Sequence, residues 1–251
     1  LHANMLSQTD QSEIKNRKSE MTSVYAYLEK PSMVDYPRRF AAVFFTSGCN
    51  FGCGFCHNAT LMGKKQAGLS WNQLETACAK FKKDWVNGVV ITGGEPTCTD
   101  DLVELIRFFK ERFSFAIKLD TNGSNPDLLA ECLPLVDYVA MDIKCGFSAY
   151  ADVVRFSDTA KITRSIELIR AEARDYEFRT TVIDSIHTDE QMDEVRQAVQ
   201  GSRRYALQAF IPRDELPCAE YRTLPRTTAA RLYELKDRMA GCADEILLRG
   251  A

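Results

Sequence analysis

From Tyr25 onward, short apolar runs of β character alternate with longer stretches whose apolar residues recur at helical spacing. Ala41–Ser47 reads as the first strand and runs into a cysteine-rich loop. Ser70-Trp-Asn-Gln73 has the form of a capping box, after which Leu74, Ala77, Cys78, Phe81 and Trp85 line one helical face. Gly88–Thr92 reads as a buried strand, followed by a helix with Leu102, Leu105, Ile106 and Phe109 on one side. Further strands are expected at Ala116–Leu119, Val136–Ile143, Phe178–Ile183 and Arg204–Ile211. Asn125-Pro126 and Thr188-Asp-Glu-Gln191 read as helix starts. Ile162, Ile166 and Ile169 align on one helix and Leu232, Leu235 and Met239 on the last, with Glu245–Leu248 as a short terminal strand.

Six strand–helix units in succession predict an α/β fold, a parallel sheet with helices packed outside it. Six are too few to close an eight-stranded barrel, so the expected architecture is a partial (β/α)6, TIM-like barrel. Functional groups in such barrels collect at the C-terminal ends of the strands. Residues 1–22 are expected to form a disordered leader and residues 23–251 a single domain.

With 251 residues, 45% of them hydrophobic, the chain can bury one sizeable core. A formal charge of −3 and a pI near 5.8 give no basic surface for nucleic acid. No apolar run reaches membrane-spanning length, and the polar N-terminus lacks the apolar core of a signal peptide. A cytoplasmic protein is expected, its nine cysteines reduced rather than paired. Cys78 and Cys132 fall on apolar helix faces; Cys98, Cys145, Cys218 and Cys242 are scattered, and Cys145 is expected to be structural.

The chemistry begins at Cys49-Asn-Phe-Gly-Cys53-Gly-Phe-Cys56. Three thiolates within eight residues can hold three corners of an iron–sulfur cube, leaving the fourth iron open to an outside ligand. Two other readings exist. Cys53-Gly-Phe-Cys56-His57 matches a c-type haem attachment, which would require export and would strand Cys49. Zinc held by the three cysteines and His57 would require consecutive residues to bend onto one ion.

The later strand ends carry polar groups too. Thr92-Gly93-Gly94-Glu95-Pro96 offers a backbone that a ligand can approach closely and a carboxylate acceptor. Asp120-Thr121-Asn122-Gly123 follows the third strand, where ordinary turn chemistry competes with ligand binding. Asp142 and Lys144 share one face of the fourth strand, and a charged pair inside a barrel mouth needs a ligand or counter-ion. On the last barrel strand, Gln208 is a further candidate.

The cysteine spacing, with aromatic Phe55 before the last cysteine, resembles the signature of the radical S-adenosylmethionine (SAM) superfamily. Pro31-Ser-Met-Val-Asp-Tyr-Pro37, Phe45-Thr-Ser-Gly-Cys49-Asn, Phe55-Cys56-His57-Asn58, Ile91-Thr-Gly-Gly-Glu-Pro-Thr97, Leu119-Asp-Thr-Asn-Gly-Ser124 and Asp137-Tyr-Val-Ala-Met-Asp-Ile-Lys144 bring the resemblance closer. They are similar to the glycyl-radical activating enzymes, in particular anaerobic ribonucleoside-triphosphate reductase activating proteins. The likeness is specific from about Pro31 to Gly146 and more diffuse to Ile211.

The resemblance implies a partial barrel of the radical SAM type and one [4Fe-4S] cluster on Cys49, Cys53 and Cys56. It implies SAM beside Phe55, with Gly93, Gly94 and Glu95 at its amino group. Asp120, Thr121, Asn122 and Asp142 would lie near the cofactor, some around a monovalent cation, and Lys144 at the SAM carboxylate or ribose. It further implies reductive cleavage of SAM to a 5′-deoxyadenosyl radical, which would abstract hydrogen from a glycine of a partner glycyl-radical enzyme. Anaerobic ribonucleotide reductase is the partner the resemblance suggests, and flavodoxin or ferredoxin the electron donor. A radical SAM enzyme acting on a small metabolite or a peptide is the alternative.

Two departures stand out. Arg38-Arg39 stands where relatives often have glycine, which is expected to alter how that segment covers the partner; no cysteine-rich insertion follows Cys56. His57 is expected as a hydrogen bonder beside the cluster and His187 as a loop residue.

Overall fold

The computed structural model describes residues 20–251. Eight strands follow one another across a single sheet in chain order: β1 Val24–Tyr27, β2 Ala41–Thr46, β3 Gly88–Gly93, β4 Ala116–Thr121, β5 Tyr138–Asp142, β6 Tyr176–Val182, β7 Ser202–Ala209 and β8 Ala243–Arg249. β1 pairs antiparallel with β2, and every later neighbour is parallel. β1 and β8 are the outer strands, so the barrel is unclosed.

Helices return the chain between parallel strands, as parallel pairing requires. α1 is Trp71–Lys83, and its capping box forms: Ser70 N–H donates to Gln73 Oε1 at 2.8 Å, and Gln73 N–H to Ser70 Oγ at 3.4 Å. α2, Leu102–Arg107, widens into a π turn over Phe108–Arg112. α3 is Pro126–Cys132, capped by Asn125; α4 is Tyr150–Val154 and α5 Thr159–Glu172. α6, Asp189–Val199, is capped by Thr188; α7 is Ala219–Arg222; α8, Ala229–Arg238, is capped by Thr228. Among the described residues no helix is long and apolar enough to cross a membrane.

Strand alternation sorts the side chains into two layers. Phe44, Ile91, Ile117, Leu119, Val139, Met141 and Phe178 point outward and join the helices in the main core. Val43, Val90, Tyr138 and Ala140 point inward and pack with Tyr36 and Ala41 into a small inner cluster. Above that cluster the inner face turns polar, with Lys118, Asp120, Asp142 and Arg179 joined by ion pairs. The apolar floor holds the inner strands together, and the charged layer lies toward the strand ends where a site can form.

Tyr36 is 4% exposed, with its ring 5.9 Å from that of Tyr138. Burial, with Asp137 next, pushes its phenol up to about 12. Ser32 pairs with Ala41 at the start of β2, so the segment Pro31–Pro37 closes the end of the barrel where strands begin. Arg38-Arg39, expected to affect how a partner is covered, therefore lies at the opposite end from the cysteine loop.

The sequence reading needs other corrections. β1 was not expected, because four residues beside a longer apolar run give little pattern of their own. β8, expected as a short strand over Glu245–Leu248, runs from Ala243 to Arg249 and pairs in parallel with Ser202 to Gln208 of β7, so seven strands run parallel. The short helices α4 and α7 were not anticipated. Of the leader expected over 1–22, residues 1–19 lie outside the described residues. Met21 bridges to Ser70, and Thr22 N–H donates to Leu69 O at 2.7 Å.

Candidate active site at the strand ends

The loop leaving β2 carries Cys49, Cys53 and Cys56 to the rim of one cavity. Of the residues predicted for the site, all but Gln208 line that cavity: the three cysteines, Phe55, Gly93, Gly94, Glu95, Asp120, Thr121, Asn122, Asp142 and Lys144. They arrive from the ends of β2, β3, β4 and β5, which is what the parallel topology dictates.

The glycine turn after β3 serves the protein itself. Gly93 has φ +124°, and Gly94 lies so close to the cysteine loop that a Cβ would stand 2.1 Å from Gly48 O. The approach lets Gly94 N–H reach Thr46 O at 2.9 Å and Glu95 N–H reach Gly48 O at 2.8 Å. Asn58 Nδ2 donates to Gly93 O at 3.2 Å from the far side of the loop. The second and first strand ends of the site are thereby locked to each other.

Glu95 is 1% exposed, and its carboxylate is already occupied by protein donors. Oε1 accepts from Thr97 N–H at 3.0 Å, Thr97 Oγ1 at 2.6 Å and Thr121 Oγ1 at 2.7 Å; Oε2 accepts from Asn122 N–H at 2.6 Å. Burial raises the carboxyl above its ordinary value in spite of these donors. Thr121 thus faces Glu95.

A chain of charges crosses the inner wall. Lys118 Nζ bonds Asp120 Oδ1 at 2.6 Å, Arg179 Nη2 bonds Asp120 Oδ2 at 3.2 Å, and Arg179 Nε bonds Asp142 Oδ1. Lys144 Nζ then bonds Asp142 Oδ2 at 2.7 Å. Burial would raise the Asp142 carboxyl, but Arg179 and then Lys144 hold it well below the usual carboxylate range. Burial would likewise raise Asp120, and Arg179 and Lys118 bring it down. Three cations against two anions leave this wall one charge positive. Both carboxylates implied for a monovalent cation are already balanced by side chains.

Segments from the other half of the barrel hold the cysteine loop from outside. His57 Nε2–H donates to Ile211 O at 2.9 Å and stacks on Phe210, with ring centroids 6.2 Å apart. Cys218 N–H donates to Gly54 O at 3.0 Å, and Tyr221 meets Phe55 edge-on at 5.6 Å. Gly52 N–H donates to Val154 O at 2.8 Å. The connection between β7 and α8 is therefore a strap across the loop.

The sequence model of the radical SAM superfamily matches residues 43–199, which contain every residue of this site. The chain belongs to the radical SAM superfamily. It is 32% identical over 226 residues to a protein of Methanocaldococcus jannaschii named "Putative glycyl-radical enzyme activating enzyme MJ1227", covering 87% of this chain and 92% of that one. It is also 28% identical over 169 residues to a "Probable GTP 3',8-cyclase" of Metallosphaera sedula, covering 66% of this chain and 52% of the relative. Among solved structures, TYW1 with a lysine–pyruvate adduct superposes with a TM-score of 0.62 over 96% of this chain and 91% of that one, at 14% identity. That likeness is one of fold.

Membership in the radical SAM superfamily implies a [4Fe-4S] cluster and SAM, and the donor set fits the cluster. The three thiols are free and share one cavity. Burial pushes Cys49 up to about 11 and Cys53 up to about 12, and raises Cys56 as well. Such thiols become ligands when a metal takes the place of the proton. Cys98, Cys145 and Cys218 do not line the cavity.

Sequence reasoning missed Arg179, Lys118, Thr181 and the strap. Arg179 and Thr181 line the cavity, and alternation with Glu177 on β6 was the signal that could have found them. Gln208 lies beside the cavity rather than in its wall: Nε2 meets Thr181 Oγ1 at 3.4 Å, and Oε1 accepts from Arg249 at 3.1 Å. His187 lies in the loop between β6 and α6, as expected. It is fully buried, its Nδ1 accepting Ile183 N–H at 2.9 Å and its Nε2–H donating to Lys144 O at 3.0 Å.

Proposed function

We propose that this radical SAM enzyme generates a glycyl radical on a partner enzyme, of which anaerobic ribonucleotide reductase is the candidate. The observation that carries the reading is the collinear match to the activating-enzyme relative, which spans 92% of that protein as well as most of this chain. In this reading Cys49, Cys53 and Cys56 would hold the cluster, which when bound would supply the electron for reductive cleavage of SAM. Phe55 and the backbone around it would lie beside the adenine. Gly93 and Gly94 would present backbone to the methionyl amino group, with Glu95 bracing the turn from behind.

The positive wall formed by Lys118, Asp120, Arg179, Asp142 and Lys144 suits the methionyl carboxylate, and the charge of Lys144 bears on all three cysteines. The apolar floor and the strap over the cysteine loop keep water from the cavity, which a reactive radical needs. A peptide loop carrying the target glycine would enter from the unclosed side of the barrel, where β1 and β8 are the outer strands of the described residues. Flavodoxin or ferredoxin would deliver the electron in the cytoplasm.

A second reading, a small-metabolite radical SAM enzyme, draws on the cyclase relative, whose match reaches only about half of that protein. The test is anaerobic incubation of the reconstituted chain with SAM, a reductant and the candidate glycyl-radical enzyme. A doublet in the partner's radical spectrum and stoichiometric 5′-deoxyadenosine are expected. SAM cleavage with no radical on any such partner would favour the metabolite reading.

A further inference from the structure

Asn122 follows the end of β4 and is 5% exposed. Its side-chain oxygen accepts the backbone N–H of Ser124 at 2.9 Å. That N–H can only donate, so the amide has one orientation and its NH2 group must face the other way. It faces the cysteine loop: Nδ2 stands 3.2 Å from Asn50 Oδ1 and 3.9 Å from Cys49 Sγ.

Both ends of this contact are held. Asn50 Nδ2 donates to Ser124 Oγ at 2.8 Å, and Ser124 Oγ lies 3.1 Å from Asn50 Oδ1. The backbone of Asn122 is anchored by its N–H to Glu95. The same sulfur also takes the Phe51 N–H at 3.4 Å. Cys49 is thus the sulfur at which two donors from different segments converge.

A neutral thiol accepts such a donor weakly. A thiolate accepts it strongly, because charge-assisted hydrogen bonds are about twice as strong as neutral ones. Reduction adds negative charge to a cluster and its sulfurs, so a donor aimed at one sulfur stabilises the reduced state over the oxidised one.

We propose that Asn122 is a positioning residue whose amide, acting through Cys49, raises the reduction potential of the cluster. The proposal rests on the cluster reading of the three cysteines. It gives the Asn122 side chain to the cysteine loop, where the sequence had offered it to the cofactor directly. A plain turn role for Asn122 would leave the potential untouched.

The test is a redox titration, followed by the cluster's spin signal, on the anaerobically reconstituted full chain and the variants Asn122→Ala, Asn122→Asp and Ser124→Ala. Asn122→Ala removes the donor and is expected to shift the one-electron equilibrium about tenfold toward the oxidised cluster, or about 59 mV. Asn122→Asp keeps the acceptor for Ser124 N–H, puts a carboxylate near the sulfur, and should shift further in the same direction. It also decides the matter should the alanine variant not fold. Ser124→Ala loosens Asn50 but leaves the Asn122 amide with its backbone partner, and should shift the potential by less than half as much as Asn122→Ala. Asparagine variants titrating with the wild type, or a Ser124→Ala shift as large as theirs, overturn the proposal alone. A wild-type chain that takes up no cluster overturns it together with the cluster reading.

Discussion

Thr121 Oγ1 donates to Glu95 Oε1 at 2.7 Å, joining the end of β4 to the turn that follows β3. With its other donors in place, Glu95 is a buried clamp between strand ends. Glu95→Gln sets an NH2 group against backbone donors and should cost about 2–3 kcal/mol in urea unfolding. Thr121→Val should cost about 1 kcal/mol. Because the two share one bond, the double variant should lose less than the sum, with a coupling of at least about 0.5 kcal/mol. Strict additivity would separate the two residues.

Gly94→Ala places a methyl group where Gly48 O stands 2.1 Å away. The cysteine loop must move to admit it. The expected outcome is a folded chain with markedly reduced iron content after reconstitution, measured beside its circular dichroism. Iron loading equal to that of the wild type would contradict the close approach.

His187 gives the fold a pH dependence. Burial lowers its pKa below the ordinary histidine value of about 6.5, because the imidazolium would lose its water, and the hydrogen bonds to the Ile183 and Lys144 backbone offset only part of that cost. The unfolded chain therefore takes up a proton first as pH falls. Stability from this residue is complete above about pH 6.5 and is lost below it, by at most about 1.4 kcal/mol per pH unit. Urea unfolding at pH 7.5 and 5.5 should show a smaller loss for His187→Gln than for the wild type, with the variant less stable at pH 7.5. Equal losses would place the proton elsewhere, and His57, also lowered by burial, is the remaining histidine of the described residues.

Arg38 adopts φ +60°, a left-handed conformation that costs a non-glycine residue roughly 1–2 kcal/mol. Its ion pair to Asp175 is long, at 4.0 Å, and its side chain is 85% exposed, so little is lost with it. Arg38→Gly should stabilise the chain by about 0.5–1 kcal/mol after the entropy of glycine is counted. The position is at the far end of the barrel, and SAM cleavage should not change. A destabilised variant would mean that the arginine stem packs more than it strains.

The site was legible wherever its residues sit next to one another in sequence. The cysteine loop, the Gly93-Gly94-Glu95 turn and the Asp142/Lys144 pair each occupy a few consecutive positions at a strand end. Topology then brings those ends together. Arg179 was hidden because the strand reading began at Phe178, which left Glu177 out and concealed the polar face that the two share. The strap was illegible for another reason: Ile211, Cys218 and Tyr221 meet His57, Gly54 and Phe55 through contacts that no local pattern encodes. The donors to Glu95 were illegible for the same reason, since Thr121 and Asn122 come from the end of another strand.

The most direct measurement is reductive SAM cleavage by the anaerobically reconstituted wild type beside Cys53→Ala. The wild type should carry about four irons per chain and release 5′-deoxyadenosine with dithionite and SAM, while the variant loses both cluster and cleavage. A wild type that loads iron yet releases no 5′-deoxyadenosine, or a Cys53→Ala chain that cleaves SAM as well as its parent, would contradict the account.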